Sequence, residues 1–217
     1  MKSQRWFLFL VLTMVVVYAA GSRADGVDMN DPRRALGRED DIRVDAQLHQ
    51  ETVSSSSPLN VRYQIQNFTA APVAVADKVS DVSYDSETAT ITFSIGAEVP
   101  KDGAMPHLVL IAPGEKKVLS IGGVIQLAVP SMRSPYSAVP RFVQITVNVL
   151  RDLAPFEGLI AKQDAAAKTR TPLALTDSQF DRWMETNDAI FLNAIPVSWQ
   201  ADRRGISAAD QGPAGSF

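Results

Sequence analysis

The sequence predicts an all-β protein: an antiparallel β-sandwich with a short C-terminal helix and one additional strand. Apolar and polar residues alternate in many short runs between residues 42 and 149, which is the period of a half-buried strand. Turn signals rich in Gly, Pro and Ser separate these runs. No convincing helical pattern occurs before residue 152, and a series of about eight short strands favours a sandwich or a barrel.

The chain begins with the pattern of a secretory signal peptide. Lys2 and Arg5 precede an apolar run from Trp6 to Ala20. This run of about fifteen residues has signal-peptide length and is shorter than the roughly 20 residues that span a bilayer. Small residues then suit a cleavage site before Asp25. We therefore expect residues 1–24 to be removed and the body of the protein to be periplasmic or secreted; an uncleaved N-terminal anchor is the alternative.

Charge and cysteine content narrow the classes of partner and chemistry. The chain has 21 basic and 24 acidic residues, and three of the basic ones lie in the predicted signal peptide, so the mature chain has a formal charge of −6. Such a surface disfavours binding to nucleic acid or to anionic membranes. Cysteine is absent, which excludes thiol catalysis and thiolate metal sites. We expect no nucleic-acid partner and no membrane span after signal removal.

The first half of the body contains clear strand patterns. Residues 25–40 are polar, charged and aperiodic, which predicts a flexible leader in front of a sandwich at residues 41–155. Residues 42–48 alternate and predict the first strand. After a break at residues 54–58, residues 59–66 alternate again, with one face suited to a core and the other to water. A turn at residues 67–72 leads to the next strand.

Further strands complete the predicted sandwich. Residues 90–95 alternate and are expected to pair with residues 82–84 across a turn. Pro113 and Gly114 form a strong turn signal between two apolar runs. The runs VIQLAV, residues 124–129, and RFVQITVNVL, residues 141–150, read as the last strands of the sandwich.

The C-terminal part has a different pattern, and we expect residues 156–199 to form a linker, a helix and a strand that pack on the sandwich. Thr176 and Gln179 have the spacing of a helix capping box. Phe180, Trp183 and Met184 have the spacing of a buried helical stripe. Residues 161–172 read as a linker, with a short helix as the alternative. Residues 189–199 read as a final strand with a break at Pro196, and residues 200–217 as a disordered tail.

Two segments resemble known families. The run LNVRYQIQNFTAAPVAV, followed about forty residues later by LIAPGEKKVLSI, resembles exported bacterial domains of immunoglobulin or fibronectin type, which implies an immunoglobulin-like β-sandwich. The runs LVLIAPGEKKVLSI and IFLNAIPV are similar to pieces of the first domain of periplasmic pilus-assembly chaperones. That resemblance implies a chaperone that holds fimbrial-type subunits through an added edge strand.

These patterns predict a non-enzymatic protein-interaction or accessory module of the cell envelope, whose partner is another envelope or secreted protein. An exposed edge strand would be its natural binding surface. Our candidate is the run at 141–150, since its alternation could offer a second chain hydrogen bonds and side-chain pockets; the alternative is an ordinary central strand. The candidate binding residues are Phe142, Val143, Ile145, Val147 and Val149.

The residues that could carry chemistry are few. His49 and His107 are the two histidines, and the sequence contains neither a G-x-S-x-G motif nor a zinc-binding histidine pair. Met105 and His107 are candidate copper ligands, because a thioether suits Cu(I) and an imidazole suits copper, and Met132 or His49 could join them. The alternative, which we favour, is that Met105 and His107 only flank a loop. We therefore expect no cofactor and no catalytic residue.

Overall fold

The structure is a computed structural model that describes residues 26–54, 58–124 and 139–200. The predicted signal peptide, residues 125–129 of the VIQLAV run, Met132 and the tail after residue 200 lie outside these ranges. Among the described residues, no helix combines the length and the apolar character needed to cross a membrane.

The described chain is built mostly of strands, and helical turns appear mainly after residue 153. The strands are β1 (Arg34–Glu39), β2 (Ile42–Leu48), β3 (Thr52–Val53), β4 (Pro58–Asn67), β5 (Val73–Ala76), β6 (Val79–Asp85), β7 (Thr90–Ile95), β8 (Ala104–Met105), β9 (Leu108–Ile111), β10 (Lys116–Val124), β11 (Phe142–Leu150), β12 (Leu173–Ala174), β13 (Asn187–Phe191), β14 (Ile195–Pro196) and β15 (Ser198–Trp199). The helices are α1 (Glu157–Ile160), α2 (Gln163–Thr169) and α3 (Asp177–Thr186), with single 3₁₀ turns at Lys101–Gly103 and Ala154–Phe156.

The first layer of the sandwich is a four-stranded antiparallel sheet with the order β1-β2-β4-β10. Alternate side chains of β2 and β4, such as Val44 and Tyr63, are fully buried on the face that meets the second sheet. On the other face, Asp45 is also buried. Its carboxylate is paired there, since Arg34 and Arg43 donate to it and Gln64 donates at 3.3 Å. The outer face of this sheet is therefore a paired polar layer.

The second layer is a seven-stranded sheet. Its path is β6-β7-β11-β5-β9, and β13 and β14 pair with the other side of β11. The β7–β11 pair is parallel, and the remaining pairs in this sheet are antiparallel. The apolar side chains between the two sheets form the main core.

A second, smaller core lies between this sheet and the C-terminal helices. Ala74 and Ala76 of β5 face it, and Trp183 of α3 is its largest buried side chain. The Trp183 ring meets the Phe156 ring edge-on at 5.5 Å, and its indole N–H donates to the Ala97 carbonyl at 3.1 Å. This core fastens the helices to one end of the seven-stranded sheet.

The all-β sandwich predicted from the alternation is confirmed. The capping box is also confirmed, since Thr176 accepts from the Gln179 backbone and the Gln179 side chain accepts from the Thr176 backbone. Trp183 is buried as predicted, whereas Met184 is 45% exposed.

Two connecting segments contain regular structure: the first differs from the prediction of a flexible leader, and the second has the short helix that was the alternative for residues 161–172. The predicted flexible leader contains β1, which pairs with β2 through a tight turn in which Asp40 has a φ of 47°. Val27, which precedes β1, is buried as well. The predicted linker contains α2, where three consecutive alanines favour a helix that ends at a left-handed Arg170.

The placement of the candidate binding strand is also wrong. β11 pairs with β7 and β5 on one side and with β13 and β14 on the other, so it is a central strand of the seven-stranded sheet. Four of the five candidate residues point into the main core and are fully buried, and Phe142 at the strand end is 39% exposed. The structure places the five candidates as follows: Phe142 faces outwards, and Val143, Ile145, Val147 and Val149 face the core.

Candidate functional site: the sheet edges

A strand at the edge of a sheet presents backbone N–H and C=O groups that its own sheet does not use. In the described chain, the four-stranded sheet ends in β1 and β10, and the long path of the other sheet ends in β6 and β9. These edges differ in what contacts their outward backbone groups.

The edge of β1 is closed by Asn193. The N–H of Leu36 donates to the Asn193 Oδ1 at 2.6 Å, and the Asn193 N–H donates to the Leu36 carbonyl at 3.1 Å. Next to this contact, β1 lies so close to β13 that a Cβ on Gly37 would come within 2.8 Å of the Phe191 carbonyl oxygen. The β1 side of the sandwich is thus sealed by backbone contact and by one carboxamide.

The edge of β9 is closed by two side chains from other elements. The N–H of Leu108 donates to the Gln163 Oε1 at 2.9 Å, and the Gln163 Nε2 donates back to the Leu108 carbonyl at 3.0 Å. Lys117 Nζ donates to the carbonyl of Leu110 at 2.9 Å. A side-chain amide from α2 therefore takes the place of a neighbouring strand at Leu108.

The edge strand β6 is irregular and acidic. Its pairing with β7 shifts register between Val79 and Asp81, which is the signature of a β-bulge. Asp81 and Asp85 are exposed along the same strand. Bulges and charged side chains both discourage the addition of another strand to an edge.

β10 differs from β1, β6 and β9 because it is long and regular, and it is longer than β13 and β14, which form the remaining edge of the seven-stranded sheet on the other side of β11. It pairs with β4 without a register shift over nine residues, from Lys116 opposite Gln66 to Val124 opposite Pro58. The Asn67 N–H donates to the Glu115 carbonyl at 3.0 Å just before this ladder begins. In an antiparallel pair the hydrogen-bonded positions recur at every second residue, so the odd residues of β10 bond to β4.

The even residues of β10 consequently direct their backbone groups away from the sheet. Within the part of the chain that the structure describes, no backbone or side-chain group bonds to these outward groups. The outward residues are Lys116, Val118, Ser120, Gly122 and Val124. Within the described residues, β10 is thus a regular edge whose outward backbone groups are available for several backbone pairs.

The side chains of β10 suit a position beside a second strand. Leu119 and Ile121 pack against the main core yet remain half-buried, and Ser120 is exposed. At the far end of the strand, two glycines allow close approach: a Cβ on Gly123 would lie 3.2 Å from a methyl group of Val79 in β6. A hollow of about 320 Å³ lies alongside, lined in part by His49 and Gly122.

The core beneath β10 contains an unpaired hydroxyl. Tyr63 of β4 is opposite Leu119 in the ladder and is fully buried. Among the described residues, its hydroxyl has no hydrogen-bond partner. Burial raises the pKa of Tyr63, and the negative charge of Asp77 adds to this effect, so the hydroxyl remains neutral.

The candidate copper ligands lie on the other side of the molecule. Met105 and His107 line one cavity of about 120 Å³ beneath α2. Met105 is buried in the second core, and the His107 Nε2 is 3.3 Å from an Asp164 carboxylate oxygen. His49 lines the hollow beside β10 instead, and Met132 is outside the described ranges. Within those ranges, no three His, Cys, Asp or Glu side chains are grouped to hold a metal ion.

Sequence reasoning identified β10 as a strand and missed that it is an edge. Two signals in its sequence point that way. Lys116 and Lys117 begin the strand, and lysine is a common protecting residue on edge strands. Gly122 and Gly123 end it, and glycine weakens the interior of a strand.

Comparisons of this chain with protein-family models, with curated proteins and with solved structures find no match.

Proposed function

We propose that this chain is a non-enzymatic, exported β-sandwich protein that binds another protein of the cell envelope by accepting an extended segment of that protein along β10. The observation that carries this proposal is the nine-residue edge of β10, whose outward backbone groups have no partner in the described chain, beside edges that are closed or irregular. Strand addition to such an edge is a recurrent mode of peptide recognition.

The incoming segment would extend the four-stranded sheet by one strand. Each outward residue of β10 offers one N–H and one C=O, so the five outward residues support up to ten hydrogen bonds. At about 1 kcal/mol net for each bond, these contribute about 10 kcal/mol, which is within the range of about 4–15 kcal/mol that association costs. Affinity would therefore depend on apolar contact as well.

That apolar contact is available on the core side of the edge. Alternate side chains of an added strand would lie over the half-buried Leu119 and Ile121. The recognised segment is accordingly one with apolar residues at every second position and no proline, since proline lacks the N–H that the ladder uses.

Export is supported by the N-terminal sequence, in which Lys2 and Arg5 precede the apolar run from Trp6 to Ala20. The envelope is therefore the compartment in which we place the partner. A pilus-assembly-type chaperone is the special case in which the partner is a fimbrial-type subunit, and the identity of the partner distinguishes the two.

The test is co-purification of the tagged protein from its own cells after mild cross-linking, with Ser120→Pro and Ser120→Ala as matched variants. The Ser120 N–H points outwards, so proline removes a donor of the free edge and leaves the β4 ladder intact. We expect the wild type and Ser120→Ala to retain one stoichiometric envelope protein and Ser120→Pro to lose it. Equal recovery with Ser120→Pro would show that the partner binds elsewhere.

A further inference from the structure

We infer that β10 accepts the β10 strand of a second copy of this chain, in antiparallel orientation about a two-fold axis at Ser120. This inference rests on the proposed function, because it uses the same edge, and it adds a second copy of the chain as an occupant that competes with the envelope partner. The product would be a dimer in which two four-stranded sheets join into one eight-stranded sheet.

The register of β10 is compatible with its own copy. With Ser120 on the axis, each even residue faces an even residue of the second copy, so outward groups meet outward groups in every pair. Ser120 faces Ser120, Val118 faces Gly122, and Lys116 faces Val124. A one-residue slip would place outward groups opposite groups already bonded to β4, so the free backbone groups restrict the pairing to registers in which even residues face even residues. Among these, the register centred on Ser120 pairs all five outward residues.

The charges of β10 favour the antiparallel orientation. Lys116 and Lys117 both lie at the start of the strand. Antiparallel pairing about Ser120 separates the two copies of Lys116 by eight residues, or about 27 Å, which is several times the Debye length of about 8 Å at physiological ionic strength. Parallel pairing would instead place the lysines of the two copies side by side, where like charges repel.

The side-chain volumes of β10 also match in this arrangement. The large residues occupy the first half of the strand and the two glycines occupy the second half. Antiparallel pairing therefore sets Val118 opposite Gly122 and Lys117 opposite Gly123, while Leu119 meets Ile121 of the second copy. These last two side chains are half-buried in the single chain, and their contact would cover the exposed part of the core.

A strand-to-strand contact buries little surface, and small interfaces of less than about 1,200 Å² are typical of weak or transient association. The dimer should therefore form reversibly and depend on protein concentration. It would occupy the edge that a different partner would otherwise use.

The test uses the absence of cysteine from the chain, so that one engineered cysteine reports one contact. In the proposed dimer the two copies of residue 120 form a hydrogen-bonded pair with a Cα separation of about 5.5 Å, which a disulfide can bridge. The copies of residue 118 lie four residues apart along the strands, or about 14 Å, which a disulfide cannot bridge. Ser120→Cys therefore reports the proposed contact, and Val118→Cys is the control for the register of the two strands. Ser83→Cys on the exposed edge β6 is the control for cross-links formed by random encounters between molecules.

The whole chain is expressed with its own N-terminal segment, and each variant is oxidised at several protein concentrations. We expect Ser120→Cys to form a covalent dimer at least tenfold faster than either control. In sedimentation, the mass of the wild type should rise with protein concentration, whereas Ser120→Pro should remain a monomer. Cross-linking of Ser120→Cys no faster than Ser83→Cys, or equal cross-linking of Val118→Cys, would overturn the inference. If Ser120→Pro also retains the envelope partner, the proposed function fails too; if Ser120→Pro loses that partner, only the dimer is wrong.

Discussion

β9 and β10 are consecutive strands joined by a tight turn, yet their outer edges are treated in opposite ways. Leu108 and Leu110 of β9 are bonded to the side chains of Gln163 and Lys117, whereas no group in the described chain bonds to the outward backbone of β10. The same contrast separates β10 from β1, which Asn193 closes. In this protein, side-chain amides close two edges that would otherwise attract another strand, whereas the described chain leaves β10 regular and without such a contact.

The largest expected effect comes from loosening the helical layer that holds Gln163 against β9. Trp183 is 1% exposed and belongs to the same core as Leu108. Trp183→Ala should lower the free energy of unfolding by about 3–5 kcal/mol, because it leaves a large cavity. Urea denaturation measures the change, and Met184→Ala on the exposed side of the same helix is the control. Equal stability of the two variants would show that the helices are not held by this core.

A smaller effect is expected from removing the Gln163 side chain, which bonds to the outer edge of β9. Gln163→Ala leaves the N–H and C=O of Leu108 without their partners and should cost about 1–3 kcal/mol. The neighbouring exposed Lys162 provides the control, since its substitution by alanine should change stability by less than about 0.5 kcal/mol. A second readout is solubility, because an open β9 is expected to associate with other edges. If Gln163→Ala matched Lys162→Ala in both stability and solubility, the Gln163 amide would not protect β9 from association.

The smallest expected effect concerns residues 26–33, which run along the outer face of the four-stranded sheet. Arg33 donates to Asp31, and Gln47 of β2 donates to the same carboxylate at 2.7 Å, so the pKa of Asp31 lies well below its usual value. Because the folded pKa is the lower one, this stabilisation is present above the unfolded value of about 3.9 and is lost as the pH falls further. The difference in stability between wild type and Asp31→Asn should therefore be constant from pH 7 to about pH 5 and become smaller from about pH 4 to pH 3. A difference that stays constant down to pH 3 would contradict the assignment.

The parts of the fold that the sequence predicted are those that depend on neighbouring residues. Alternation in β4 or β7 and the capping box at Thr176 are local patterns, and each is present in the structure. β1 was missed because its sequence, RALGRE, lacks alternation and becomes a strand by pairing with β2.

Which strand lies at an edge depends on contacts between distant parts of the chain. Gln163 closes an edge 55 residues away, and Asn193 closes one 157 residues away. No local pattern in the sequence of β11 reveals that strands lie on both of its sides. Alternation therefore predicted which segments are strands and could not predict which strand is left at an edge.

Residue-resolved amide hydrogen exchange at low protein concentration tests the difference between guarded and open edges most directly. The account predicts slow exchange at Leu36 and Leu108, whose N–H groups are bonded to side chains, and fast exchange at Val118 and Ser120, with slow exchange at Leu119 between them. Protection of Ser120 equal to that of Leu108 in the monomer would contradict it, because β10 would then already be covered.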